Sequence, residues 1–85
     1  MASLTPRGTA YESFGSGPRV IALVHGLGLN RHSWQRQVAA LSRTHRVITF
    51  DLHGHGDSSV PPITPSLTVF SEQLVELLDH LGIAR

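Results

Sequence analysis

The sequence predicts an α/β fold with a parallel strand–helix–strand unit at its centre. Three observations carry that prediction. Residues 20–24 (Val-Ile-Ala-Leu-Val) form an apolar, strand-favouring run that empties into His25-Gly26-Leu27-Gly28. Trp34, Val38 and Leu41 then fall at helical spacing, and residues 46–51 (Arg-Val-Ile-Thr-Phe-Asp) return to a strand-like run. Leu67, Phe70, Leu74, Leu77, Leu78 and Leu81 make the apolar stripe of a second helix, stopped by Gly82.

The elements follow in order. Residues 1–8 are weakly patterned and read as loose. Residues 9–14 (Thr-Ala-Tyr-Glu-Ser-Phe) have strand composition with a polar face. Gly15-Ser16-Gly17-Pro18 is a turn signal. The short connection predicts a hairpin, with residues 9–14 antiparallel to the run that starts at Val20. That run has no polar residue before His25, so it reads as a strand buried on both faces. Ser33 is the candidate N-cap of a helix over 34–42, with Gln35, Arg36 and Gln37 outside. Strands at 20–25 and 46–51 joined by that helix make a right-handed parallel crossover. A Gly-, Pro- and Ser-rich loop covers 52–66, where Pro61-Pro62 excludes regular structure. Ser66 or Thr64 caps the second helix, over 67–81, whose solvated face is assigned to Glu72, Gln73, Glu76 and Asp79.

Composition narrows the function classes. The 85 residues are 40% hydrophobic and 15% charged, with a formal net charge of +1, which is ordinary globular composition for one domain. All seven basic residues are Arg, scattered among six acids, so no basic patch points to nucleic acid or a lipid surface. With no Cys there is no disulfide or thiolate chemistry. No apolar run has signal-peptide or membrane-spanning length. A cytoplasmic protein with no nucleic-acid or membrane partner is the expectation, and its oligomeric state is left open.

The chemistry sits in two loops. Gly26 and Gly28 let the chain turn sharply after the 20–25 strand and leave backbone N–H groups uncovered. Such a loop, at the carboxyl end of a buried parallel strand, can receive an anion or a developing oxyanion. The second loop reads Asp51-Leu52-His53-Gly54-His55-Gly56-Asp57-Ser58. The strand ending in His25-Gly26-Leu27-Gly28, then Trp34, Leu41, Arg46-Val47-Ile48, and finally Asp51, Gly54, Gly56 and Ser58 as D-x-x-G-x-G-x-S resemble the N-terminal part of the α/β-hydrolase fold, of the esterase, lactonase and epoxide-hydrolase type. The resemblance covers residues 9–83. It implies the N-terminal part of that sheet: an antiparallel hairpin leading into the parallel unit, plus the second helix.

The resemblance also implies roles. The backbone N–H of Leu27 would serve the oxyanion hole, while His25, Gly26, Gly28, Asp51, Gly54, Gly56 and Ser58 shape the two loops. The family's nucleophile lies in a G-x-S-x-G turn, followed by an acid and a His. No such turn occurs here, and Gly15-Ser16-Gly17 precedes the oxyanion strand. His32, His45 and His80 read as solvated. The chain therefore reads as the front portion of a hydrolase for a small-molecule ester, lactone or related substrate, inactive alone and with no cofactor. The nucleophile, whether Ser, Asp or Cys, would lie in a turn within about 20 residues of Arg85.

Other readings stay open. His53-x-His55-x-Asp57 resembles the start of a zinc-hydrolase motif, since two imidazoles and a carboxylate suit zinc, but Ser58 stands where that motif has its next His. Gly26-x-Gly28 begins a dinucleotide fingerprint, with Arg31 at its third glycine position and Asp51 closing the next strand. A non-catalytic α/β binding module would use the same fold without the chemistry.

Overall fold

The fold is organised on β4, Arg46–Phe50, in which Val47, Ile48, Thr49 and Phe50 are all buried. The computed structural model describes residues 2–26, 29–60 and 66–83. The other strands are β1 (Ser3–Leu4), β2 (Ala10–Phe14) and β3 (Val20–Val24). They form one mixed sheet in the order β1-β2-β4-β3. β3 and β4 are parallel, with Val24 level with Phe50, and β2 runs antiparallel to β4, with Tyr11 opposite Phe50. The helices are α1 (Gln35–Leu41), entered through a 3-10 turn at Arg31–Trp34, and α2 (Leu67–His80).

Strand alternation divides the core between the two faces of the sheet. Ile48, Phe50 and Leu52 point one way and pack with Leu77 of α2, with Tyr11, Phe70, Leu74, Leu81 and Ile83 around them. Val47 and Thr49 point the other way. Thr49 shares a groove with Val38 and Ala39 of α1 and with Glu12 and Phe14 of β2. Glu12 is thereby brought to the face that carries Arg31. Among the described residues, no helix is long and apolar enough to cross a membrane.

The hairpin lies elsewhere than the short 15–19 connection implied. β2 does not pair with β3, because β4 inserts between them. Gly15 (φ +71°) and Gly17 (φ +150°) do not build a hairpin turn but a crossing. A Cβ on Gly15 would stand 2.6 Å from the His45 carbonyl oxygen, and one on Gly17 2.8 Å from that of Thr44. The connection therefore runs against the turn before β4, and Arg46 N–H donates to the Arg19 carbonyl (3.0 Å). Glycine is needed there for close approach, a requirement that looks identical to a turn signal in sequence. The antiparallel hairpin is β1–β2, formed in the stretch expected to be loose: Leu4 pairs with Ala10 and Ser3 with Tyr11.

Burial redistributes accordingly. β4, not β3, is the strand covered on both sides. Among the described residues β3 is the last strand on its side of the sheet, and Val20 and Val24 are 36% and 45% exposed. Helix entry also differs from the Ser33 expectation. Asn30 is the cap, its Oδ1 accepting from His32 N–H (2.9 Å), so the helical path starts one turn earlier. Ser66 caps α2 by accepting from Val69 N–H (3.2 Å), while Thr64 lies outside the described residues. Gly82 (φ +70°) closes α2 in a Schellman arrangement: its N–H reaches the Asp79 carbonyl and the Ile83 N–H that of Leu78. Two positions on α2 exchange roles. Leu67, in the first turn, is 86% exposed, whereas Gln73 is buried at 3%.

Candidate functional site

The site lies at the carboxyl end of the parallel pair. The residue after β3 is His25 and the residues after β4 are Asp51 and Leu52, all buried. Leu52 N–H donates to His25 Nε2 (2.9 Å), so that nitrogen is bare. The ring proton is then assigned to Nδ1, which donates to the Gly26 carbonyl (2.7 Å). The Gly26 carbonyl also accepts from Leu29 N–H (3.1 Å). Leu27 and Gly28 lie outside the described residues.

Asp51 is the second anchor. Its Oδ1 accepts from Arg31 N–H (2.6 Å), and its Oδ2 accepts from Asp57 N–H (3.0 Å) and from the Arg31 guanidinium. Arg31 also donates through Nε to Glu12 (2.8 Å) and through Nη1 to Asp57 (3.0 Å). One buried guanidinium thus gathers carboxylates from β2, from the end of β4 and from the loop beyond it. Burial alone would raise the Asp51 pKa. The Arg31 and Asp57 amides, then the Arg31 guanidinium and its charge, outweigh that and hold the carboxyl below its usual value. Burial alone would likewise lower the Arg31 pKa, but its bonds to Glu12, Asp57 and Asp51 raise it above the ordinary arginine value.

The 51–58 loop is built around the same carboxylate. Gly56 adopts φ +47°, and a Cβ there would lie 2.7 Å from Asp51 Oδ1 and nearer still to Oδ2. Gly54 (φ +80°) has open space around a would-be Cβ, so only its left-handed backbone calls for glycine. Ser58 Oγ donates to the Asp51 carbonyl (2.5 Å) and accepts from Ala10 N–H (2.9 Å), bracing the loop on β2. That hydroxyl is buried and committed on both sides, which makes it a strut rather than a nucleophile.

The zinc-like trio is not brought together. Asp57 faces Arg31, His53 N–H donates to Gln73 Oε1 (2.9 Å), and His55 sits against the His25 ring at 5.0 Å between centroids. Among the described residues, no group of three or more His, Asp or Glu side chains is placed to hold a metal ion.

Arg31, Glu12 and Gln73 carry contacts that the sequence reading did not assign. Gln73 Nε2 donates to Thr9 Oγ1 (3.1 Å) and to the Asp51 carbonyl (2.9 Å), tying α2 to the end of β4. Its position, three after Phe70 and four before Leu77, is a signal that it faces inward. For Arg31 no local signal exists, because its partners are brought to it by the crossover.

A parallel pair whose carboxyl ends are locked together, with helices on both faces and antiparallel strands on one flank, defines an α/β domain with its working loops at one edge of the sheet. The chain belongs to the α/β hydrolase fold family, whose model matches residues 19–85. It is 40% identical over 75 residues to the dihydrolipoyllysine-residue acetyltransferase component of the acetoin cleaving system of Pseudomonas putida, covering 88% of this chain and 20% of that protein. It is 38% identical over 76 residues to rat (Rattus norvegicus) bifunctional epoxide hydrolase 2, covering 86% of this chain and 14% of the relative. The crystal structure of an enol-lactonase from Burkholderia xenovorans LB400 superposes with a TM-score of 0.86 at 34% identity, over 91% of this chain and 31% of the other. The chain thus spans a fifth or less of the length of these two curated relatives.

Proposed function

We propose that this chain supplies the oxyanion side of an α/β hydrolase that acts on a small ester, lactone or related substrate, with the Leu27 backbone N–H as a donor. In this reading His25, Gly26, Gly28, Asp51, Gly54, Gly56 and Ser58 shape the two loops, and the nucleophile, acid and base belong to sequence beyond residue 85. The observation that carries the reading is the double anchoring of the 25–31 loop at the carboxyl end of β3: His25 on Leu52, and Arg31 on Asp51. A fixed backbone donor is what oxyanion stabilisation requires, since a preorganised N–H costs no reorganisation when charge develops. The lactonase and epoxide-hydrolase relatives support the substrate class.

The test has two arms. The 85-residue chain should hydrolyse p-nitrophenyl esters no faster than an unstructured peptide of equal His content, because an oxyanion donor without a nucleophile supplies little. In the reading frame continued past Arg85, Leu27→Pro removes the N–H and should lower kcat by about 10²–10³-fold. Leu27→Ala keeps the N–H and should stay within about 3-fold. Equal kcat in the two variants sinks the oxyanion role.

A further inference from the structure

We propose that the groove between β2 and α1 is a binding site for a small organic ammonium ion with an apolar tail, its cationic head held by Glu12 and Thr49. The site is separate from the oxyanion loop and does not depend on that reading.

The groove is made by strand register and helix position. Glu12 stands opposite Thr49 and Phe14 opposite Val47, so β2 and β4 present these side chains on one face of the sheet. Val38 and Ala39 line the groove from α1, and Arg31 lines it from the turn that enters the helix. Exposed His32 and Gln35 complete the lining. The volume is about 340 Å³, at the small end of the range of about 300–1,000 Å³ for small-molecule pockets. Phe14, Val38 and Ala39 supply apolar surface for a tail, and only a few polar groups converge on it. That is the composition of a ligand pocket.

Two polar groups in the groove have capacity to spare. Thr49 is 2% exposed, and its hydroxyl has no partner among the described residues. Buried hydroxyls are ordinarily hydrogen-bonded, so one left over at the wall of a cavity marks a place for a ligand atom. The Glu12 carboxylate opposite it binds Arg31 Nε through Oε1 (2.8 Å), and its Oε2 has no partner among the described residues. The sign of the ligand follows from the charges. Arg31 does not belong to Glu12 alone, since its Nη1 serves Asp51 and Asp57. With Asp57 set aside as 70% exposed, two carboxylates still share one guanidinium. Glu12 is only 20% exposed, so this negative excess is partly shielded from water and attracts a cation strongly. An ammonium head carries only donors and has enough of them to serve both Glu12 Oε2 and the Thr49 hydroxyl. A carboxylate ligand would meet Glu12 with like charge.

The experiment titrates the 85-residue chain with phenethylammonium, and with phenethyl alcohol and hydrocinnamate as its neutral and anionic counterparts, following the backbone amide resonances. Phenethylammonium is expected to give saturable shifts at Glu12, Thr49, Val38 and Ala39, and to bind at least about 10-fold more tightly than hydrocinnamate. Glu12→Gln should weaken the ammonium about 10-fold or more and bring it level with the alcohol. Thr49→Val keeps the shape, loses the hydroxyl and should weaken it about 3-fold. Ala39→Phe fills the groove from an exposed helix position without touching a charge, and should abolish binding. Asp57→Asn alters the same ion network outside the groove and should stay within about 2-fold. Where Glu12→Gln does not fold, Ala39→Phe and the comparison of the three ligands carry the test. The proposal is overturned by hydrocinnamate binding as tightly as phenethylammonium, by an ammonium affinity that Ala39→Phe leaves unchanged, or by the absence of saturable shifts in the groove.

Discussion

Replacing Asp51 by Asn is the sharpest test of how the two loops are held. The carboxylate is fully buried and accepts on both oxygens: Arg31 N–H on Oδ1, and Asp57 N–H with the Arg31 guanidinium on Oδ2. An amide has one acceptor oxygen and one NH2 group. In either orientation the NH2 faces an N–H donor, so at least one buried donor loses its partner. The charge is lost as well, leaving Arg31 with Glu12 and with an Asp57 side chain that is 70% exposed. Breaking a buried pair from one side costs about 3–5 kcal/mol, and the surviving partners put this case at the lower end, about 3 kcal/mol. A domain of this length has about 4–13 kcal/mol in all, at roughly 0.05–0.15 kcal/mol per residue. The assay is urea unfolding followed by the fluorescence of Trp34, the single tryptophan, which lies at the entry to α1. With a slope of about 1–1.5 kcal/mol/M, the midpoint should fall by about 2–3 M. Asp57→Asn, at the solvated end of the same network, should cost less than about 1 kcal/mol. A fall of under about 0.5 M for Asp51→Asn, or equal falls for the two variants, would refute the claim that Asp51 is the anchor.

Three further outcomes are expected. Gly54→Ala should cost about 1–2 kcal/mol for its left-handed backbone alone, whereas Gly56→Ala adds a collision with the Asp51 carboxyl and should cost clearly more, as read by the same unfolding curves. Because the Asp51 pKa is depressed, its contribution to stability is complete above the unfolded value of 3.8 and is lost as the pH falls through the lower folded value. Arg31, raised from an already high value, adds no slope in the working range, so acid unfolding of Asp51→Asn should lack this component. The outer edge of β3 has no strand beside it among the described residues, and Val20 and Val24 are exposed there. The chain should therefore self-associate with rising concentration, and Val24→Lys should reduce that association in sedimentation velocity.

Much of the architecture was legible because it is local. The apolar run of residues 20–24, the 3.6-residue spacing of Phe70, Leu74, Leu77 and Leu81, and the stop at Gly82 each depend on near neighbours. What was not legible is set by partners far along the chain. Gly15 and Gly17 looked like a hairpin turn, but their backbone is fixed by the Thr44 and His45 carbonyls. Gln73 lies at inward spacing with Phe70 and Leu77 but read as part of a solvated face, and the groups it satisfies, the Asp51 carbonyl and the His53 N–H, lie far from it along the chain. Arg31 gave no sign at all, since its carboxylates come from residues 12, 51 and 57. A buried polar group is placed by the need to be satisfied, and that need carries no period.

The same accounting explains why the β3 chain is free to turn where it does. Backbone donors on β4 alternate between its two neighbours. Arg46 N–H reaches towards β3, at Arg19, whereas Asp51 N–H reaches towards β2, at Ala10. Leu52 N–H therefore points back towards β3, where the continuing ladder would offer it a carbonyl. The His25 imidazole takes that bond instead. Val24 and Phe50 are the last partners in register, and one side chain closes the ladder directly above them. The β3 backbone is released after Val24 without leaving a buried donor unpaired, which a simple end of pairing would have done at a cost of about 1–3 kcal/mol. A histidine at this position does what a glycine turn alone cannot: it ends a parallel ladder and fixes its own tautomer on the Gly26 carbonyl.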